Sequence, residues 1–115
     1  MTLLEMFEKV NIAVPLEQRR FFNYYEDSVD ELQMKYREFV FPEDTNREKI
    51  TSLSDENRVR PLYHTAIVDN ILFLAGAGGE GNAQYKKEFM RKARDAYMTY
   101  WRQHAKGKHI RRMMW

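Results

Sequence analysis

Cysteine is absent from this chain of 115 residues, which excludes disulfide scaffolds, thiolate nucleophiles and zinc or iron–sulfur sites with cysteine ligands. Long apolar runs are missing too. The longest, Ala66 to Ala77, is broken by Asp69 and Asn70 and falls far short of the roughly 20 residues of a membrane span. No basic residue precedes the apolar ones in MTLLEMFEKV, so the start does not resemble a secretory signal. Together these absences predict a soluble intracellular protein with no membrane partner. Acidic residues, finally, are scarce at one end. Residues 83–115 hold 2 Asp and Glu against 10 Lys and Arg, a net +8, whereas residues 1–82 hold 15 against 9, a net −6. A division of this kind points to an acidic partner, nucleic acid, a second copy meeting head to tail, or a basic helix folded on its own acidic body.

What is present suffices for one domain with one core. Hydrophobic residues make up 43%, aromatics 14% and charged residues 31%, and a folded chain of this mass exposes about 6,700 Å². Helical periodicity dominates. Thr2 and Glu5 form a T-x-x-E capping box, after which Leu3, Phe7 and Val10 share one face of a short helix ending near Asn11. Pro15 interrupts, because the residue before a proline is pushed out of helical geometry. A second helix is predicted from Leu16 to Val40, with Phe22, Tyr25, Val29, Leu32, Tyr36 and Phe39 on a seam of three- and four-residue steps. Its other face, with Glu26, Asp27, Asp30, Glu31 and Lys35, reads as solvated.

Phe41 and Pro42 end that helix, and residues 43–60 form a long polar loop. Within it, Lys49 to Leu53 has the composition of a short strand, which would need a partner edge. Pro61 suits the first position of a third helix, and Leu62 to Ala75, apolar nearly all round, is predicted to be the most buried. The glycine run Gly76 to Gly81 ends it, with Asn82 as the expected N-cap of a fourth helix over Ala83 to Lys106. Tyr85, Phe89, Ala93, Ala96, Tyr100 and His104 share that helix's apolar face, and Gly107 closes it. The expected architecture is therefore all-α: a four-helix bundle over residues 1–107, a long polar loop after the second helix, and a basic tail over residues 108–115.

Motifs for chemistry are few. The glycine run lacks the preceding strand and the following Lys-Ser or Lys-Thr of a phosphate loop, and reads as a helix–helix turn. His104 and His109 flank Gly107 with no carboxylate among them, so a metal site is not indicated. His64 and Asp69 stand five residues apart, which points them away from each other on a helix, and His64 reads as a buried, hydrogen-bonded histidine. No nucleophile elbow is present. No catalytic residue, cofactor or metal is expected, and an enzyme whose site lies near His64 and Asp69 is the weakest reading.

Two features of the basic end remain. Lys86, Lys87, Arg91, Lys92, Arg94 and Arg102, with Tyr97, Tyr100 and Trp101 interleaved, have the composition of a nucleic-acid-binding module. The tail, Lys108, His109, Ile110, Arg111, Arg112, Met113, Met114 and Trp115, combines arginine with large apolar side chains that gain nothing from water, and so reads as a docking segment for another protein.

Three stretches carry a resemblance to a known family: Phe21-Phe22-Asn23-Tyr24-Tyr25-Glu26-Asp27-Ser28-Val29-Asp30-Glu31-Leu32, Tyr63-His64-Thr65-Ala66-Ile67-Val68-Asp69-Asn70-Ile71-Leu72, and Ala96-Tyr97-Met98-Thr99-Tyr100-Trp101 leading into the basic end. In these stretches, and in helix order and size, the chain resembles the small helical head–tail connector, or adaptor, proteins of long-tailed bacteriophages. The resemblance implies a structural virion protein with no chemistry, assembled in the host cytoplasm into a homo-oligomeric ring, commonly of twelve copies, in the neck. Its partners would be the portal, a tail-side completion protein, and DNA passing through the channel without sequence-specific contacts. Portal docking would fall to Lys108, Ile110, Arg111, Arg112, Met113, Met114 and Trp115. The lopsided charge fits contacts between copies that bring Lys86, Arg91 and Arg94 on the fourth helix of one to Glu26, Asp30 and Glu31 on the second helix of the next. The loop residues Arg47, Lys49, Arg58 and Arg60 would line the channel or bridge subunits.

Overall fold

The computed structural model describes residues 1–36, 39–42 and 48–104. It is all-α, with four helices: α1 (Leu3–Ala13), α2 (Gln18–Tyr36), α3 (His64–Leu74) and α4 (Asn82–His104). Among the described residues there is no strand, and no helix is long and apolar enough to cross a membrane.

The first helix starts where the capping box places it. The Thr2 hydroxyl accepts from the Glu5 amide, and the Glu5 carboxylate accepts from the Thr2 amide, both at 3.1 Å. Those bonds stabilise the charged carboxylate and hold Glu5 below its ordinary pKa. The helix runs two residues past Asn11, because the Asn11 side chain donates to Phe7 O and accepts from Leu16 N, which carries the chain round Pro15.

In α2 the inward residues are Phe21, Tyr25, Ser28, Val29 and Leu32. Phe21 rather than Phe22 is fully buried, and Phe22 and Tyr36 are half-buried. The helix also stops earlier than Val40. The Val40 carbonyl accepts from Arg60 N at 2.9 Å, so the backbone here is pinned to the far end of the loop.

The loop holds a second departure. Lys49 to Leu53 is not a strand, because carboxylates take the amides that a neighbouring strand would have taken. Glu26 Oε1 accepts from Ile50 N at 3.1 Å, and Asp55 Oδ2 accepts from Thr51 N and Ser52 N at 2.9 and 3.1 Å. The same donors depress the Asp55 pKa. Residues 48–60 are thus bound to their own domain, with Val59 buried.

Pro61 opens a single 3₁₀ turn, Pro61–Tyr63, that leads into α3. Eight of the eleven residues of α3 are buried, as its apolar circumference predicts. It packs most extensively on α4 and also on α2 and α1, so the core is built around it. Principal extents are 47 × 33 × 20 Å, the shortest matching two layers of helices about 10 Å across.

The glycine run is a turn. Gly76, Gly78 and Gly79 have φ of 75°, 82° and 54°, a region that a side chain enters only at a cost. At Gly78 a Cβ would also press on the Tyr85 ring at 3.0 Å, so that ring would have to shift by a few tenths of an ångström. Asn82 does not cap α4. It is the first helical residue, and its side-chain amide instead donates backward to Phe73 O, which also accepts from Gly76 N, and to Ala77 O, at 3.2 and 2.8 Å, tying the start of α4 to the carbonyls just past the end of α3.

Tyr63 is fully buried and its hydroxyl makes no hydrogen bond; burial raises its pKa well above the ordinary value. Leaving such a group unpaired costs about 1–3 kcal/mol. Tyr63→Phe is accordingly expected to raise stability by about 1 kcal/mol, read as a higher denaturant midpoint at unchanged slope; a lower midpoint would show that the hydroxyl has a partner.

Candidate functional site

The residues of interest lie on α2 and α4, which flank α3 and reach each other through long side chains. Lys86 points inward. Its ammonium lies 2.5 Å from Glu31 Oε2 and 3.1 Å from Asn70 Oδ1, and over the rings of Phe73 and Phe89 at 5.5 and 4.8 Å. Asn70, almost wholly buried, donates to Ser28 Oγ at 2.8 Å, and Ser28 donates to Tyr24 O. This polar chain runs from α4 through α3 into α2 and satisfies each buried group it contains. Lys86 and Glu31, expected on facing copies, therefore meet in one chain.

Other cations of α4 are also spent locally. Lys92 Nζ lies 2.6 Å from Asp69 Oδ2, so Asp69 turns to α4 and away from His64. Arg91 bridges Glu88 and Asp95 at 2.7 and 3.2 Å, and its hydrogen bond to Glu88 holds that carboxyl below its usual pKa. Lys87 and Arg94 are different. Both are exposed, and neither has a carboxylate partner among the described residues. On α2, Glu26 accepts from Ile50 N, and the side chains of Asp27 and Asp30 reach the surface.

Aromatic residues of α4 pack against α2 and its continuation. Tyr97 stands 4.9 Å from Tyr36 and 5.5 Å from Phe39, and Phe39 lies 4.9 Å from Tyr100 and 5.2 Å from Trp101 between ring centres. Rings so engaged do not form a platform open to bases. The loop arginines are drawn into the body as well. Arg60 sits over the Tyr100 ring at 4.5 Å, and Arg58 is 3.5 Å from Glu48. Lys49 remains exposed beside a cavity of about 210 Å³ that Glu26, Phe41, Asp55 and Arg58 help to line. Arg47 and the tail residues Lys108 to Trp115 lie outside the described residues, as does Gly107.

His64 is a structural anchor. It is 5% exposed, with Nδ1 2.8 Å from the Met1 ammonium and Nε2 2.7 Å from Val59 O. An ammonium only donates and a carbonyl only accepts, so Nδ1 must be bare and Nε2 must carry the proton. Burial lowers its pKa, and the Met1 charge adds to that effect. Asn57 ties in the same corner by donating to Met1 O and accepting from the Tyr25 hydroxyl. Sequence reasoning found the buried histidine but missed both partners: Met1 is 63 residues away, and Val59, only five residues before it, is brought to the ring by the turn at Pro61 rather than by any helical spacing. Among the described residues no three His, Asp or Glu side chains are placed to hold a metal.

No protein-family model, no curated protein and no solved structure matches this chain.

Proposed function

We propose that this protein is a structural component of a bacteriophage neck, a ring-forming head–tail connector that joins the portal to the tail and surrounds the DNA channel. The observation that carries the reading is the division of charge on the folded surface. An acidic ridge on α2 and a basic ridge on α4 face outward from separate flanks of α3, which suits a heterologous contact that repeats around a ring. The resemblance in the three stretches around Phe21, Tyr63 and Ala96 supports it, and so does the composition of the tail.

The rival reading, a nucleic-acid-binding module, loses support. Of its six cations, Lys86, Arg91 and Lys92 are bound to carboxylates of the same chain. With Lys87, Arg94 and Arg102 left, the salt slope for duplex DNA is expected to be no steeper than about −3.

Light scattering of the purified chain, alone and with a cognate portal ring, tests the proposal. The expected result is a stoichiometric portal complex that disappears when residues 108–115 are removed, with the helical circular dichroism of the truncated chain unchanged. A truncated chain that joins the portal with unaltered affinity would show the tail assignment to be wrong. A full chain that ignores the portal but binds DNA with a steep salt slope would overturn the connector reading itself.

A further inference from the structure

Tyr36 is the last residue of α2, and Tyr97 stands near the end of α4, about 60 residues further along the chain. Lys86 and Glu31 join these two helices by charge. Farther along both, Tyr36 and Tyr97 join them by their rings. The ring centres are 4.9 Å apart with the planes 32° from parallel, within the range of a favourable aromatic pair and little more than the span of two directly bonded rings. Tyr36 has a second tyrosine neighbour in Tyr63, but at 6.0 Å and fully buried. Tyr36 and Tyr97 are each half-buried, so a small oxidant reaches them while the packing holds them together. Trp101, also half-buried, lies 6.3 Å from Tyr97 and offers an oxidant a second point of entry to the pair.

We propose that Tyr36 and Tyr97 form an oxidative modification site, at which a diffusible one-electron oxidant joins the two rings as dityrosine and so staples α2 to α4. Each phenol gives one electron to the oxidant and its hydroxyl proton to water, leaving two neutral phenoxyl radicals whose unpaired spin lies partly on the carbons ortho to oxygen. An ortho carbon of one ring bonds to an ortho carbon of the other. The hydrogen on each of those carbons then returns to its own phenol oxygen, restoring both aromatic rings. Two electrons and two protons have left, and one C–C bond has replaced two C–H bonds. The link closes a loop of about 60 residues, which restricts the unfolded chain and stabilises the folded one. This inference is independent of the connector reading and stands or falls apart from it.

The test oxidises the full chain, diluted to suppress links between copies, with photo-generated tris-bipyridyl ruthenium(III) and persulfate, the terminal electron acceptor, which is reduced to sulfate. The expected product is a single chain lighter by two hydrogen atoms, with dityrosine fluorescence and a linked pair of peptides holding Tyr36 and Tyr97 after digestion. Its melting temperature should rise by about 10 °C or more. Tyr36→Phe and Tyr97→Phe retain the ring contact, and each should lower the dityrosine yield at least about tenfold, because the link depends on two phenols held side by side. Tyr63→Phe, which removes the more distant and enclosed phenol, should leave the yield unchanged. In urea, where the fold no longer pairs the rings, the wild-type link should be lost. That comparison needs no variant and stays decisive should a substituted chain misfold. A yield that survives Tyr36→Phe or Tyr97→Phe, a link that maps to other tyrosines or only between copies, an equal yield in urea, or a linked chain that melts no higher than the unlinked one would each overturn the inference.

Discussion

Replacing Phe21 by alanine is expected to cost about 3–5 kcal/mol and to lower the melting temperature by about 10–20 °C. Phe21 is fully buried, and its ring meets those of Phe7, Phe22 and Tyr25 at 5.4, 5.9 and 6.4 Å between centres. It is therefore the point at which α1 and α2 share the core. Alanine there removes the transfer free energy of the ring and leaves a cavity bordered by other rigid rings, which collapse poorly. Against a total stability of 5–15 kcal/mol for a typical domain, the loss takes the protein close to unfolding at physiological temperature. The same change at Phe22, which is half-buried, is expected to cost less than half as much. Urea denaturation of the two variants checks the order, and equal midpoints would show that the core is not arranged around Phe21.

The second large effect is expected at His64, and it depends on pH. In the folded protein the imidazole is neutral, bare at Nδ1 toward the Met1 ammonium and protonated at Nε2 toward Val59 O. A second proton would place two cations face to face in a buried site. The folded-state pKa is accordingly below the ordinary value of 6.5. In the window between that depressed value and 6.5 the unfolded chain binds more protons than the folded one. Stability is thus fully present above about pH 6.5 and falls as pH drops through the window, with a slope of up to about 1.4 kcal/mol per pH unit. Below the folded-state pKa this residue adds no further slope. His64→Phe is expected to remove that dependence and, by orphaning a buried carbonyl and the Met1 ammonium, to cost about 2–4 kcal/mol at neutral pH. Urea titrations from pH 4.5 to 8 compare the two chains. An unchanged acid slope in the variant would assign it to carboxylates such as Asp55 and Glu5, whose pKa values are also depressed.

Both effects concern the scaffold that presents the ridges of α2 and α4, and they bear on function through it. The chain Lys86–Asn70–Ser28 sets how α4 and α2 lie against α3. A change there moves both ridges at once, whereas a change at Lys87 or Asp27 alters only the outward charge.

Periodicity and local hydrogen-bonding chemistry determined a good deal from the sequence alone. Four helices in the right order, the capping box at Thr2 and Glu5, the buried third helix and the glycine turn all depend on interactions within a few residues, and such interactions are written in the spacing. The expectations that failed are those in which a residue answered a distant partner. Val40 leaves the helix for Arg60, Ile50 gives its amide to Glu26 in place of a strand, and Asn82 turns back to the carbonyls of Phe73 and Ala77 past the end of α3. Phe21 and Phe22 differ by one position, about 100° around a helix, and only the packing of α1 on the bundle decides which is buried. Lys86 and Lys87 show the same limit at the site. The sequence established a basic fourth helix; that Lys86 is consumed by Glu31, 55 residues away, and Lys87 is left facing water was decided by the tertiary structure, because an ion pair forms wherever the fold brings the charges together and helical spacing holds no record of it.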